Sequence, residues 1–240
     1  MKTFKAFSVL LSYPGHALQQ AVDEIRTVLW DEALLPVEQR AALEPLLASL
    51  ADDDLYALQE RYVLLFDRSR TLSLNLFEHI HGESRDRGGA MVDLLETYRR
   101  AGLDLSGIEL PDHLPVLLEF LSTRPLDEAR AILADAGHIL VALAERLQRR
   151  DTPYAAVLQS LVSLAQAPRE SEEARALLSQ PDDNPEDLAA LDAVWEEAQV
   201  TFGPDAGAGC PSGAGARDIP IRIKPRPATP GLQPIGGNHA

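Results

Sequence analysis

Leucine at helical spacing dominates this chain and determines its predicted fold class. Of the 39 leucines in 240 residues, 38 lie within residues 1–202, where alanine is also abundant and Val, Ile and Thr are few. This composition favours helices over strands. Apolar residues recur every three or four positions, for example in the stripe Leu18, Val22, Ile25 and Leu29. We therefore predict an all-α fold, a single globular bundle of about nine to eleven helices.

Capping and turn residues predict where individual helices begin and end. Asp52 or Asp53 is placed to cap a helix that contains Tyr62 and Phe66. One long helix is predicted from Pro125 to Arg149, and Thr152, as an N-cap before Pro153, is expected to start the next. The same reasoning predicts helices over residues 86–100, 112–122, 171–179 and 185–202.

The charge distribution separates a body from a tail. The chain carries a formal net charge of −15, made up of −17 in residues 1–202 and +2 in residues 203–240. Such an acidic body disfavours nucleic acid as a partner and favours a basic peptide or protein surface. Residues 203–240 also hold 8 of the 15 glycines and 7 of the 17 prolines. We predict a helical domain over 1–202 and a disordered Gly/Pro-rich tail over 203–240.

Several features indicate a cytoplasmic protein that does not insert into membranes. Cys210 is the only cysteine, so no intramolecular disulfide can form, as is usual in a reducing compartment. No run of 18 or more apolar residues occurs. The N-terminal apolar stretch is interrupted at Tyr13 and Pro14 and no small-residue cleavage site follows. We therefore interpret it as a first helix and not as a signal peptide.

Two polar stretches interrupt the leucine pattern, residues 73–89 and residues 109–115. Histidine together with carboxylates suits zinc or iron, which raises the alternative of a metal-dependent all-α hydrolase. The spacing gives this alternative little support, because residues i and i+2 do not share a helix face and no HExxH pair is present. The four candidate metal ligands are His79, His81, Asp112 and His113.

The other interpretation of residues 78–89 is a loop between helices whose charged groups satisfy one another. Asp86 is placed to cap the helix that follows. Arg85 and Arg87 are placed to pair with Glu78 or Glu83, contacts that contribute little when exposed. No phosphate-binding glycine loop, nucleophile elbow or CxxC motif is present, so ordinary cofactor or covalent catalysis has no visible anchor.

The polar stretches carry a family resemblance. Residues 76–88, followed by residues 90–94, closely resemble the signature of the NarJ family of nitrate reductase molybdenum cofactor assembly chaperones, also called delta subunits. Residues 109–115 resemble that family's second block and, more loosely, the Glu-Pro-x-Asp-His motif of the redox-enzyme maturation chaperones that include TorD and DmsD. Pro111 directly precedes Asp112, which matches the nitrate reductase branch. The resemblance covers about residues 1–200.

The resemblance implies a non-catalytic cytoplasmic chaperone with no cofactor of its own. Its partner would be the catalytic alpha subunit of the respiratory nitrate reductase, bound through that subunit's N-terminal leader-like peptide. It would assist molybdenum cofactor insertion and delay docking on the membrane subunit. The alternatives are a chaperone of a related molybdoenzyme and a scaffold subunit kept in the mature enzyme. The motif positions place Asp112 and His113 at the client-peptide site, with Glu109, His79, His81, Arg85, Asp86 and Arg87 near it or in its walls.

Overall fold

The fold is known from a computed structural model that describes residues 1–81, 85–105 and 109–184. Within these ranges the chain forms no β-strand and twelve α-helical segments, of which α6 is a single turn. They are α1 (Lys2–Leu10), α2 (His16–Glu32), α3 (Val37–Ala42), α4 (Glu44–Asp52), α5 (Leu55–Tyr62), α6 (Glu78–His81), α7 (Arg85–Arg100), α8 (Leu114–Ser122), α9 (Leu126–Asp135), α10 (Gly137–Arg149), α11 (Ala155–Ala165) and α12 (Glu172–Leu178). The predicted all-α fold is confirmed.

The helices share one leucine-rich core. α1 packs between α2 and α8, and α10 packs against α11 and α12. The predicted stripe on α2 is buried along its whole length, from Leu18 to Leu29. Phe4 and Phe7 of α1 are also fully buried. Each such side chain contributes roughly 1.5–3 kcal/mol of transfer free energy, so the core is the main source of stability.

The chain between α5 and α6 is irregular. Val63–Asp67 forms a π-helical turn and Arg70–Leu72 a 3₁₀ turn. Because the π turn follows α5 directly, it carries Phe66 into the core and leaves Asp67 exposed. No helix within the described ranges is long and apolar enough to span a membrane.

The predicted cap of α5, Asp52 or Asp53, lies one or two residues before the cap that the structure has. α4 continues through Asp52, and Asp53 bonds back to the Ser49 hydroxyl at 2.5 Å. The residue that caps α5 is Asp54, whose Oδ1 accepts the N–H groups of Tyr56 at 3.0 Å and of Ala57 at 3.2 Å. Among three consecutive aspartates, tertiary contacts select the cap, and the local preference alone does not distinguish them.

The predicted helix from Pro125 to Arg149 is wrong as a single element. It breaks at Ala136, and α10 begins at Gly137. A Cβ on Gly137 would lie 2.8 Å from the Cβ of Ala167, so the glycine allows the chain after α11 to approach α10 closely. The break thus lies next to a close contact between elements, and hydrophobic periodicity reports neither of them.

The predicted start of the next helix is also displaced. Thr152 does not cap it, because α11 begins at Ala155 and the Thr152 hydroxyl is buried without a hydrogen-bond partner. The backbone carbonyl of Thr152 accepts the N–H of Ala155 at 3.1 Å instead. Ser171 does cap α12, as its residue type predicts. The predicted helix over 185–202 and the tail over 203–240 lie outside the described residues.

Candidate functional site

A groove of about 910 Å³ runs along α1 and α8. The two helices are antiparallel, because the N-terminal amine of Met1 bonds the carbonyl of Ser122 while Lys5, further along α1, pairs with Glu119. Lys5 and Ser8 of α1 line one side of the groove, followed by Ser12 and Tyr13 in the turn after the helix.

Aromatic rings form the apolar part of the groove. Tyr62, Tyr98 and Phe120 are buried at its floor, and Tyr13 stands at its rim with 54% of its surface exposed. Tyr13 meets Tyr62 edge to face at 5.6 Å between ring centroids, and Tyr98 meets Phe120 at 4.7 Å. Burial raises the pKa of both Tyr62 and Tyr98, so these phenols stay neutral. The Tyr62 hydroxyl donates to the carbonyl of Leu11 at 2.9 Å.

The turn after α7 supplies another wall. Gly102 has a φ of +81° and ends the helix, and the N–H of Leu103 bonds the carbonyl of Tyr98 at 3.0 Å. Only a residue that tolerates the left-handed region closes a helix in this way. Leu103 and Asp104 therefore reach the groove.

Carboxylates outnumber cations in the groove. Asp67, Asp104, Glu109 and Glu119 line it, against Lys5. Asp104 lies 3.5 Å from Arg99, and both of these side chains are largely exposed. Partial desolvation raises the pKa of the Asp67 carboxyl, and the like charge of Glu109 raises it further.

His113 and Glu109, both predicted site residues, line the groove. The Nδ1 atom of His113 lies 3.6 Å from the Glu109 carboxylate and is buried without a hydrogen-bond partner. Burial lowers the pKa of His113, although Glu109 and Asp112 oppose this shift. The imidazole is therefore neutral near pH 7 and does not compensate the charge of Glu109.

Asp112 lies beneath the groove and does not line it. Its side chain is fully buried, and its Oδ2 accepts the N–H of Phe77 at 3.0 Å. Backbone bonds run beside this contact, from Leu76 N–H to the Asp112 carbonyl at 3.1 Å and from Leu114 N–H to the Leu74 carbonyl at 2.8 Å. Asp112 thus joins the two motif segments and positions His113 next to it.

The two histidines of the first motif support this junction. His79 is partly buried, and its Nε2 lies 2.8 Å from the carbonyl of Ser73, so Nε2 carries the proton. Burial lowers the pKa of His79. His81 packs edge to face against Phe77 at 5.8 Å. Neither histidine lines the groove.

The charged residues of the first motif lie on α6 and α7. Arg87 pairs with Glu78 at 3.0 Å, which confirms one predicted ion pair. Residues 78–81 and 85–89 are helical, so the predicted loop is wrong for most of this stretch. Asp86 lies inside the first turn of α7 and is not its cap, because the helix already begins at Arg85. Glu83 and the side chain of Arg85 lie outside what the structure describes.

Comparison with known proteins identifies the family of this chain. The family described as "Nitrate reductase delta subunit" matches residues 16–160, more than half of the sequence. The chain belongs to that family. Both motif segments, residues 76–88 and residues 109–115, fall within the matched region, and the predicted resemblance is confirmed.

Delta-subunit relatives resemble the chain over most of its length. The nitrate reductase molybdenum cofactor assembly chaperone NarJ of Escherichia coli strain K12 is 46% identical over 204 residues, which cover 84% of this chain and 85% of the relative. The probable assembly chaperone NarW of the same strain is 37% identical over 212 residues, 88% of each chain. A probable NarJ from Bacillus subtilis strain 168 is 31% identical over 164 residues, 67% of this chain and 86% of the relative.

The delta-subunit relatives are named as assembly chaperones, not enzymes, in agreement with the predicted non-catalytic protein. The structure also gives the metal-dependent hydrolase no support. Within the described part of the chain, no three or more His, Cys, Asp and Glu side chains group so as to hold a metal ion. In particular His79 is bonded to a backbone carbonyl, and Asp112 to a backbone N–H.

Several groove residues of this delta-subunit chain lie outside the two motifs and were not predicted from the sequence. Tyr13 lies in a turn before Pro14, Asp67 follows an apolar helical stretch, and Tyr98 lies within the predicted helix over residues 86–100. Their shared location depends on how α1, α7 and α8 pack, which no local pattern in the sequence contains. The sequence feature that pointed to an acidic groove was the excess of acidic residues over residues 1–202.

Proposed function

We propose that this protein is a cytoplasmic assembly chaperone of the respiratory nitrate reductase. It binds the N-terminal segment of the catalytic alpha subunit, assists insertion of the molybdenum cofactor and delays docking on the membrane until assembly is complete. Relatives that cover more than four fifths of the chain and are named as molybdenum cofactor assembly chaperones support the client enzyme. The groove along α1 and α8 is the observation that carries the peptide-binding part.

The groove has the chemistry that an amphipathic helix requires. Such a segment lays its apolar face on a hydrophobic surface and keeps polar residues at the edges. Here Tyr13, Phe120 and Leu103 provide apolar contact, and carboxylates such as Glu109 line the edge. The volume lies within the range of pockets that bury a specific ligand.

Long-range electrostatics favours a basic client segment. Residues 1–202 carry a formal charge of −17. A field of that sign raises the association rate of a cationic peptide and weakens as added salt screens it. Binding through the groove is therefore expected to be tighter and faster at low ionic strength.

Calorimetric titration with a synthetic peptide of the alpha subunit's N-terminus tests the peptide-binding part. We expect one site per chain, tighter binding at low than at high salt, and weaker binding of a sequence-scrambled peptide. Tyr13→Ala removes the rim aromatic and should raise the Kd about five- to tenfold, in line with an exposed aromatic contact. Tyr56→Ala, at an 80% exposed tyrosine on α5 outside the groove, is the matched control and should leave the Kd unchanged. Failure of the peptide to bind the wild-type protein would overturn this part.

The cofactor-insertion part has its own readout. Alpha subunit produced in cells with and without this chain is purified and its molybdenum content is measured. We expect molybdenum to be depleted when the chain is missing, and restored by the wild-type chain and by Tyr56→Ala. Equal molybdenum content with and without the chain would refute a role in insertion.

A further inference from the structure

The two ends of the groove differ in charge. Because α1 and α8 are antiparallel, Lys5 and Glu119 lie towards one end. Tyr13 and His113, from the end of α1 and the start of α8, lie towards the other. Asp67 belongs to this second end, because it lines the groove together with Glu109 and His113 and ends the π turn that follows Tyr62, whose ring contacts Tyr13.

At the first end, the charges cancel. Lys5 forms an ion pair with Glu119, and both side chains are about half exposed. Ser122 and Thr123 complete this end with hydroxyl groups. The N-terminal amine of Met1 also lies at this end, bonded to the Ser122 carbonyl, and its charge acts on the Glu32 carboxylate. With these cations facing Glu119 and Glu32, this end offers hydrogen-bonding groups but little net charge to a ligand.

At the second end, two carboxylates lack a counter-ion. The Asp67 carboxylate makes no hydrogen bond or ion pair with any part of the chain that the structure describes. The Glu109 side chain is 57% exposed, and its nearest partner is the neutral ring of His113 at 3.6 Å. The N-terminus of α8 adds only a partial positive charge, which solvent screens. The repulsion between Asp67 and Glu109 therefore persists in the free groove.

Two further features at this end match a cationic side chain. The exposed ring of Tyr13 lines the same groove as the carboxylates, and aromatic faces attract guanidinium and ammonium groups. The buried Nδ1 of His113 has no hydrogen-bond partner in the described structure. A cation between the carboxylates would relieve their repulsion and form charge-assisted hydrogen bonds to both.

We propose that the groove binds its client segment in one orientation, with an arginine or lysine side chain of the client held between Asp67 and Glu109. The uncharged end of the segment then lies over the Lys5–Glu119 pair. This inference deepens the proposed function and rests on it, because it assigns the orienting residues of the same groove. Asp67, which neither motif contains, becomes a specificity-determining residue.

The test measures the Kd of three peptides by titration. One is the N-terminal peptide of the alpha subunit, and two are designed amphipathic helices of identical composition, with the arginines gathered at one terminus or at the other. Each is titrated against wild-type protein, Asp67→Asn and Asp93→Asn. Asp93 is an exposed carboxylate of α7 outside the groove, so its variant removes the same charge elsewhere.

We expect Asp67→Asn to raise the Kd of the natural peptide about tenfold and Asp93→Asn to raise it less than twofold. Replacing the natural peptide's basic residues singly by glutamine should identify one position whose effect disappears in Asp67→Asn. The two designed peptides should differ in Kd by about tenfold on wild-type protein, and much less on Asp67→Asn.

The outcomes separate the two proposals. If the natural peptide binds but Asp67→Asn and Asp93→Asn behave alike, the oriented site is overturned and the proposed function stands. If the natural peptide fails while one designed peptide binds with the expected dependence on Asp67, the client assignment falls and the oriented site stands. If none of the three binds, both are overturned. Circular dichroism of each variant confirms that its helices are intact.

Discussion

The carboxylate of Asp112 accepts the backbone N–H of Phe77 across 35 residues of sequence, at 3.0 Å. This contact ties the first motif segment to the second directly beneath the groove. The acceptor side chain is fully buried, so this bond fixes where α8 begins and where His113 lies. A residue that family resemblance places at the client site thus acts in this structure by positioning its neighbour.

Asp112→Ala should therefore lower stability. It leaves the partly buried N–H of Phe77 without its acceptor and a cavity at the buried Asp112 position, at a cost of about 1–3 kcal/mol. In a domain of this size that cost lowers Tm by about 2–4 °C per kcal/mol. Asp112→Asn keeps an acceptor oxygen and should lose less stability. Asp93→Ala, on the surface, should change the free energy of unfolding little. Urea unfolding followed by circular dichroism measures all three, and a wild-type midpoint for Asp112→Ala would contradict the positioning role.

The fold class and most helices were predictable because leucine periodicity reports directly on which face of a helix is buried. The stripe from Leu18 to Leu29 is a case where local pattern and burial coincide. The break at Ala136 was not predictable, because it lies beside the close approach of Gly137 and Ala167, a contact between residues 30 positions apart that local sequence does not report. The spacing of apolar residues stays helical across the break, since Leu133 and Leu140 lie seven positions apart.

The candidate site was only half predictable for a similar reason. His113 and Glu109 were found because they belong to a recognisable motif, and both line the groove. Asp112 belongs to the same motif, but its burial could not be known from sequence, since an aspartate next to a histidine suits a surface site equally well. Asp67 and Tyr13 carry no motif and become neighbours of the site only through tertiary packing.

Glycine replacements should separate packing from helix propensity. Gly137→Ala places a Cβ 2.8 Å from the Ala167 Cβ, closer than real Cβ atoms approach, so it should destabilise the protein by about 1–3 kcal/mol. Gly88→Ala, in α7 with nothing within 4 Å of the new Cβ, should stabilise it by about 0.5–1 kcal/mol. Chemical denaturation compares the two variants, and effects of the same sign would refute the packing argument.

Arg146 joins three elements from a buried position in α10. Its guanidinium donates to the carbonyls of Thr71 at 2.9 Å and Leu177 at 2.7 Å and lies 2.9 Å from the carboxylate of Asp182. Arg146→Leu should cost about 3–5 kcal/mol, because it strands these acceptors. Arg149→Leu is the matched control. The half-exposed side chain of Arg149 also pairs with the Asp182 carboxylate, at 3.7 Å, and should contribute less than about 1 kcal/mol to stability. Similar losses in thermal unfolding of the two variants would contradict this assignment.

His79 should make stability depend on pH. Burial lowers its pKa below the ordinary value of 6.5, while the bond to Ser73 opposes this shift only in part. As pH falls below about 6.5, the unfolded chain takes up a proton that the folded protein resists, so the free energy of unfolding decreases until the folded pKa is passed. At pH 7 and above, the neutral ring is present in both states and the effect is absent.

His79→Gln removes this titration and retains a donor for the Ser73 carbonyl. Its free energy of unfolding should therefore decline less than that of the wild-type protein between pH 7.5 and pH 5, a window chosen to span roughly the ordinary histidine pKa. His16→Gln, at an exposed histidine at the start of α2, should keep the wild-type decline. Urea midpoints at half-unit pH steps provide the comparison. An unchanged decline in His79→Gln would show that His79 is as easily protonated in the folded protein as in the unfolded chain, and its burial would then have to be relieved by solvent reaching the ring.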